Sequence, residues 1–377
     1  MPDQSPANVI SETPHPAIHD WSTLSKHEGL VLRGAGILCI MLHNFTHWVP
    51  PVTGENEFHF EAGHFATMLE QLRAMPQDGW RILFSYFGHY GVQVFVFLSA
   101  FGLTRSSIAQ RPAYGTFVKK RIAALYPAVL IAAVTFLIYN SIFSGPGKTL
   151  DEIIPLLRQI LLIGNFTGHG FEPIGPWWFL SMICQFYLVF PLLFRGMEKS
   201  GSRFLLFTGG TSLLLELFLN APVTAATEIN LNYTVLGHLP EFSFGMWAAS
   251  SGKMRDPGGW VGIAAVVFLV GQLHHAAWLC SGLALIVIAV PLLRWILTTN
   301  GPLSRLLAFF GGISLPLFLM NGFLRNPLVW LAQLQVERGE SHAWLTTFVL
   351  SLAFVLSCTA FAWLGNRAER RLRNFFR

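Results

Sequence analysis

Apolar runs of helix-spanning length recur along this 377-residue chain, and they leave it few ways to fold. They fall at 31–49, 82–104, 122–144, 177–195, 204–220, 234–250, 259–273, 277–294, 307–330 and 343–365. About 20 such residues cross a bilayer as a helix, which satisfies its own backbone hydrogen bonds where no water can. The shorter runs need tilt or pairing to span. Hydrophobic residues make up 53% of the chain and charged ones 12%, too little polar surface to cover a soluble globule of this size. The expected fold class is all-α, a polytopic membrane helix bundle of about ten transmembrane helices.

Ten spans put both termini on one side. The alternation that places them together collects 19 of the 25 Lys and Arg on that face, which is therefore expected to be cytoplasmic. Residues 1–27, rich in Pro, Ser, His and Asp and lacking a signal-peptide core, read as a disordered cytoplasmic tail. Residues 28–365 read as one membrane domain, and 366–377 as a basic cytoplasmic tail against anionic lipid. The opposite face receives the acidic, aromatic stretch Pro50 to Trp80 and the segment Gly145 to Pro176. Within the latter, 150–164 is apolar but too short to span and carries Arg158, which suits an interfacial or re-entrant helix. Cys39, Cys184, Cys280 and Cys358 lie in apolar runs without paired spacing. No metal site, no disulfide framework and no nucleic-acid partner are expected.

The ionisable residues of the first span are the most informative. Arg33, His43, Asn44, His47 and Trp48 share one stretch that must otherwise live in lipid, and such groups usually face a bundle interior. At 1.5 Å rise per residue, His43 lies about 15 Å beyond Arg33 and His47 about 6 Å further. The two histidines share a helix face, while Arg33 is turned about 80° away from His43. A neutral imidazole exchanges protons near pH 7, which suits a general base; the alternative is a histidine bonded to a neighbouring helix. Arg33 is equally consistent with a side chain reaching the headgroups. In the second span His89 and Gln93 are four residues apart on a Gly/Ser/Ala-containing helix. The following loop holds Arg105, Arg111, Lys119, Lys120 and Arg121, enough charge for a polyphosphate, although inward orientation alone also produces it. Glu241 and His238, three apart in the sixth span, suit either a helix contact or a functional pair.

Several blocks in order carry a resemblance. They are Leu32-Arg33-Gly34 leading to His43, Gly91 to Phe101, Phe117 to Arg121 with Tyr126-Pro127, and Gly175-Pro176-Trp177-Trp178-Phe179-Leu180-Ser181. Gln185 to Leu188 with Pro191, Leu239-Pro240-Glu241-Phe242 with Gly245, and Gly312 to Leu319 follow. Together, over roughly 28–365, they resemble the integral membrane acyltransferase-three family, which moves acyl groups from acyl-CoA to hydroxyls of sugars and envelope molecules. The chain departs from the family pattern at Ile183-Cys184, where relatives often carry an acid, and at Met320-Asn321, where many carry a histidine.

The resemblance implies an O-acyltransferase with no permanently bound cofactor. Acyl-CoA, expected to be acetyl-CoA, would be the donor, its phosphates against Arg105, Lys119, Lys120 and Arg121. His43 or His47 would deprotonate the acceptor hydroxyl, with His89 or Asn44 donating to the oxyanion and Arg33 completing the catalytic group. Asn44, Trp48, Glu55, Glu57, Trp177 and Trp178 would contact an extracytoplasmic sugar or glycan. The implied setting is a multi-pass protein of a bacterial inner membrane, with the lipid bilayer and envelope-biosynthesis proteins as further partners. The rival reading is a proton-coupled transporter or flippase of a small envelope precursor, since membrane His, Glu and Gln also suit a relay.

Overall fold

A computed structural model describes residues 20–375 apart from 53, 255, 256 and 298–300, with backbone alone at 297 and 368–375. The chain begins with α1 (Lys26–Thr46), α2 (Gly63–Ala74), α3 (Gly79–Phe87) and α4 (Gly91–Ala109). Next come α5 (Tyr114–Phe143), α6 (Pro146–Asp151), α7 (Ile153–Ile160), α8 (Trp178–Ser200) and α9 (Ser202–Thr227). The second half holds α10 (Leu239–Ser250), α11 (Pro257–Gly271), α12 (His275–Trp278) and α13 (Ser281–Leu297). It ends with α14 (Pro302–Gly312), α15 (Ser314–Leu324), α16 (Asn326–Glu337) and α17 (Ala343–Phe375).

Among the described residues, six helical segments are long and apolar enough to cross a membrane: Lys26–Thr46, Pro76–Ala109, Tyr114–Phe143, Gly175–Ser200, Ser202–Thr227 and Ala343–Arg367. The pair α14 and α15 makes a seventh if taken as one broken span. The all-α, multi-pass bundle expected from the sequence is thus what the chain forms. The remaining expected spans are occupied by shorter elements: α10 has 12 helical residues, α11 has 15 and α13 has 17. The expected 307–330 helix is interrupted by a 76° bend. Gly311-Gly312 weakens the helix there, and Pro316 has no N–H for the Gly312 carbonyl, so the helix restarts at Ser314. The expected short helix at 150–164 is divided into α6 and α7, the latter ending where Leu162 takes a positive φ of 63°.

The first helix lies in the interior with the Pro76–Ala109 and Gly175–Ser200 spans. Their apolar windows are 56%, 61% and 56% buried, against 22% for the α9 and α17 windows, whose leucines and phenylalanines remain exposed. A capping box starts α1: Ser25 and Glu28 each bond the other's backbone N–H. Glycines let its neighbours close in. A side chain at Gly34 would overlap the Leu307 carbonyl of α14, and one at Gly311 would overlap the Leu30 carbonyl of α1. On the other side a Cβ at Gly91 would strike the Gly36 carbonyl. Backbones in direct contact replace the hydrophobic effect, which does not operate between helices in lipid.

Of the expected tail 1–27, residues 1–19 lie outside the described residues. From Asp20 onward the chain is docked. Trp21 is 2% exposed and edge-on to Phe97 at 5.7 Å and Phe244 at 5.1 Å. Arg294 donates to Glu28 at 2.8 Å and to the Asp20 carbonyl at 3.1 Å.

Candidate active site

Three imidazoles converge where α1 meets the break between α3 and α4. His43 and His47, one turn apart, have ring centroids separated by 4.9 Å. His89 arrives edge-on to His43 at 5.6 Å, on the 3-10 turn Gly88–Tyr90. That turn can press against α1 because Gly88 has no side chain; a Cβ there would lie 2.7 Å from that of His43. His43 is 7% exposed and His89 2%.

One contact sets the His43 tautomer. Its Nδ1 lies 3.3 Å from the Phe84 carbonyl oxygen, which can only accept. The proton therefore belongs on Nδ1, and Nε2 keeps the lone pair a general base needs. His47 is hydrogen-bonded to the backbone of Ser85.

Glu57 reaches this centre from the loop after α1, its Oε2 3.8 Å from His89 Nδ1, beyond direct hydrogen bonding. Burial, with Glu55 nearby, pushes the Glu57 carboxyl up to about 8, so it is mostly protonated at neutral pH. The loop is folded inward and pinned. Glu55 accepts from Trp278 Nε1 at 3.1 Å and is bonded to His64 Nδ1 at 3.0 Å. The Phe58 carbonyl accepts from Asn230 at 3.0 Å and Asn232 at 2.8 Å, and the Phe58 ring stands edge-on to Phe171, Trp178 and Tyr233. The acidic stretch after α1 is thus a plug folded into the bundle.

The other expected site residues are more dispersed. Asn44 donates to Asn321 Oδ1 at 2.7 Å, joining α1 to α15, and its carbonyl accepts from Arg325 at 3.0 Å. Trp48 is 52% exposed beneath the Arg325 guanidinium, 5.4 Å from its ring centre. Trp177 is fully buried and donates to the Leu319 carbonyl at 3.0 Å, while Trp178 stacks on His238 at 5.7 Å. Arg33 is half-buried near the other end of α1, about 15 Å from His43 along the helix. It shares the Tyr187 hydroxyl's surroundings with Arg121, which also lies over Phe117 at 5.5 Å. Arg105, Lys119 and Lys120 are exposed.

A cavity of about 30 Å³ adjoins His89 and is lined by Glu57, Gln93, Glu216, His238, Glu241 and Trp278, among others. Glu216 and Arg325 were not among the expected site residues. Each carried a signal: Glu216 is a lone acid within the apolar run of α9, and Arg325 is the only charged residue of the apolar run 307–330. Among the described residues no group of three or more His, Cys, Asp or Glu is arranged to hold a metal ion.

This fold and centre define an integral, multi-pass helical membrane protein with ionisable side chains gathered in its interior. The chain belongs to the acyltransferase domain family (acyltransferase three), whose model matches residues 31–365, the family the sequence blocks resemble. It is also 34% identical over 140 residues to Acyltransferase MdmB of Streptomyces mycarofaciens, a match covering 34% of this chain and 35% of that protein. The matched part thus spans about a third of that relative's length. No solved structure matches the chain.

Proposed function

We propose that the protein transfers an acyl group, acetyl being the expected case, from cytoplasmic acyl-CoA to a hydroxyl of an extracytoplasmic sugar or envelope glycan. The observation that carries this reading, beside family membership, is the convergence of His43, His47 and His89 with His43 Nδ1 directed at the Phe84 carbonyl. His43 Nε2 takes the acceptor's hydroxyl proton as its oxygen attacks the thioester carbonyl carbon. The C–O bond forms, the C–S bond breaks, and the imidazolium returns the proton to the thiolate sulfur. His89 and His47 are the donors nearest the developing oxyanion, and such donors count most in a site closed to water.

The donor side follows from charge. Arg33 and Arg121, around Tyr187, and the exposed Arg105, Lys119 and Lys120 form a basic approach on the face assigned to the cytoplasm. Guanidinium groups suit phosphate oxygens and ammonium groups add point charge. Thioester consumption by the detergent-purified protein tests this function, with acetyl-CoA as donor and envelope extract as acceptor. Loss of turnover in His43→Ala with coenzyme A binding retained is expected. No coenzyme A binding and no thioester consumption by the wild type would overturn the reading and favour transport.

A further inference from the structure

We infer that the chamber beside His89 is a hydroxyl-recognition subsite, which anchors a non-reacting hydroxyl edge of a polyhydroxylated acceptor while another hydroxyl faces His43. Polar side chains reach it from several separate elements, among them His89 and Gln93 from the α3–α4 break and α4, Glu216 from α9, and Glu241 from α10. These side chains are 2%, 6%, 3% and 3% exposed. Both ring nitrogens of His89, Gln93 Oε1, Glu216 Oε1 and Glu241 Oε2 have no hydrogen-bond partner among the described residues. Burying several such atoms unpaired is costly, and native interiors tolerate it mainly where a ligand or water completes them.

The mixture of donors and acceptors selects the ligand class. Neutral imidazole offers one N–H and one lone pair, the amide oxygen accepts, and a carboxyl group accepts or donates according to protonation. A cation would satisfy the oxygens but not the imidazole N–H, and an anion would oppose the carboxylates. A hydroxyl does both. The volume, about 30 Å³, admits one or two groups of water or hydroxyl size rather than a whole ring. Gly282 keeps that space open: a Cβ there would overlap Glu241 Oε1 and lie 2.6 Å from Gln93 Cγ. Trp278 gives one wall an aromatic surface and, through Glu55, ties the chamber to the plug that covers it.

Hydroxyl recognition stands on the chamber itself; the role of presenting an acceptor to His43 rests on the acyl-transfer reading, through the 5.6 Å contact between His89 and His43. The test uses intrinsic tryptophan fluorescence of the detergent-purified full chain, titrated with glycerol and with the methyl glycosides of glucose, galactose and mannose. Coenzyme A binding is measured in parallel. Saturable binding of at least one probe is expected, weakened tenfold or more in Glu241→Gln, Glu216→Gln and Gly282→Ala, with coenzyme A binding unchanged. Where a carboxyl variant does not yield monodisperse protein, Gln93→Leu carries the same comparison. Absence of saturable binding by every probe in protein that binds coenzyme A would overturn the subsite. Binding that all these variants leave unaltered would do the same. Probe binding through the chamber without acetyl-CoA binding or consumption would leave the subsite standing and remove acyl transfer instead.

Discussion

His43 Nδ1 lies 3.3 Å from the Phe84 carbonyl oxygen, and this contact between α1 and α3 assigns the imidazole proton to Nδ1 and leaves Nε2 its lone pair. His43→Ala is therefore expected to lower acyl transfer by roughly 100-fold or more, the usual share of a general base, without changing coenzyme A affinity. His47→Ala should cost less, since its ring supports His43 from 4.9 Å. Turnover and coenzyme A binding on the same samples check both; equal losses would move the base to His47.

The donor approach predicts a graded series. Arg121→Ala and Arg33→Ala remove the two guanidinium groups around Tyr187 and should raise the KM for acetyl-CoA about tenfold or more, consistent with hydrogen bonds to charged groups. Lys119→Ala and Lys120→Ala, at exposed positions, should have smaller effects that fade with added salt. The comparison is KM against ionic strength for the four variants.

Glu57 gives the plug a pH dependence with a definite sign. Its carboxyl sits at about 8 when buried and near the ordinary 4.5 of a free glutamate when released, so between those values the closed form holds the extra proton. Closure is fully favoured below about 4.5 and weakens as pH rises through about 8. Hydrogen exchange in residues 55–60, corrected for its intrinsic rate, should accelerate as pH rises from 4.5 toward about 8 and level off above it. Glu57→Gln should flatten that dependence; a variant with the wild-type profile would contradict the assignment.

Close helix packing predicts opposite outcomes for two glycines of α1. Gly34→Ala forces a methyl group into the Leu307 carbonyl and should destabilise the bundle by about 1–3 kcal/mol, the scale of overpacking. Gly29→Ala meets nothing within 4 Å and should be neutral or stabilising by up to about 1 kcal/mol. Thermal unfolding in one detergent separates them.

Asn44 and Asn321 form a clamp whose halves depend on each other, at 2.7 Å. Asn321→Leu leaves the Asn44 amide without this partner and should cost about 1–3 kcal/mol, while the double variant Asn44→Leu/Asn321→Leu should recover part of it. A double-mutant cycle on thermal stability reads the coupling directly.

What the sequence by itself determined is local or compositional. The length and apolarity of the runs imposed a multi-pass helical bundle, because lipid accepts no unpaired backbone. Helical geometry put His43 and His47 on one face, and the order of the blocks was sufficient for the family. Tertiary structure alone decided what surrounds them. His89 meets His43 because a 3-10 turn and Gly88 bring two helices into contact, a relation no spacing within either helix encodes. Glu57 joins them because its loop folds inward, held by Asn230, Asn232 and Trp278 from far along the chain. Glu216 and Glu241 face one chamber from two helices, and the broken α14–α15 span delivers Asn321 to Asn44. Apolar periodicity says which segments must be buried. It does not say which polar groups on different segments will share the same interior, since that depends on helix rotation, bends and loop return paths.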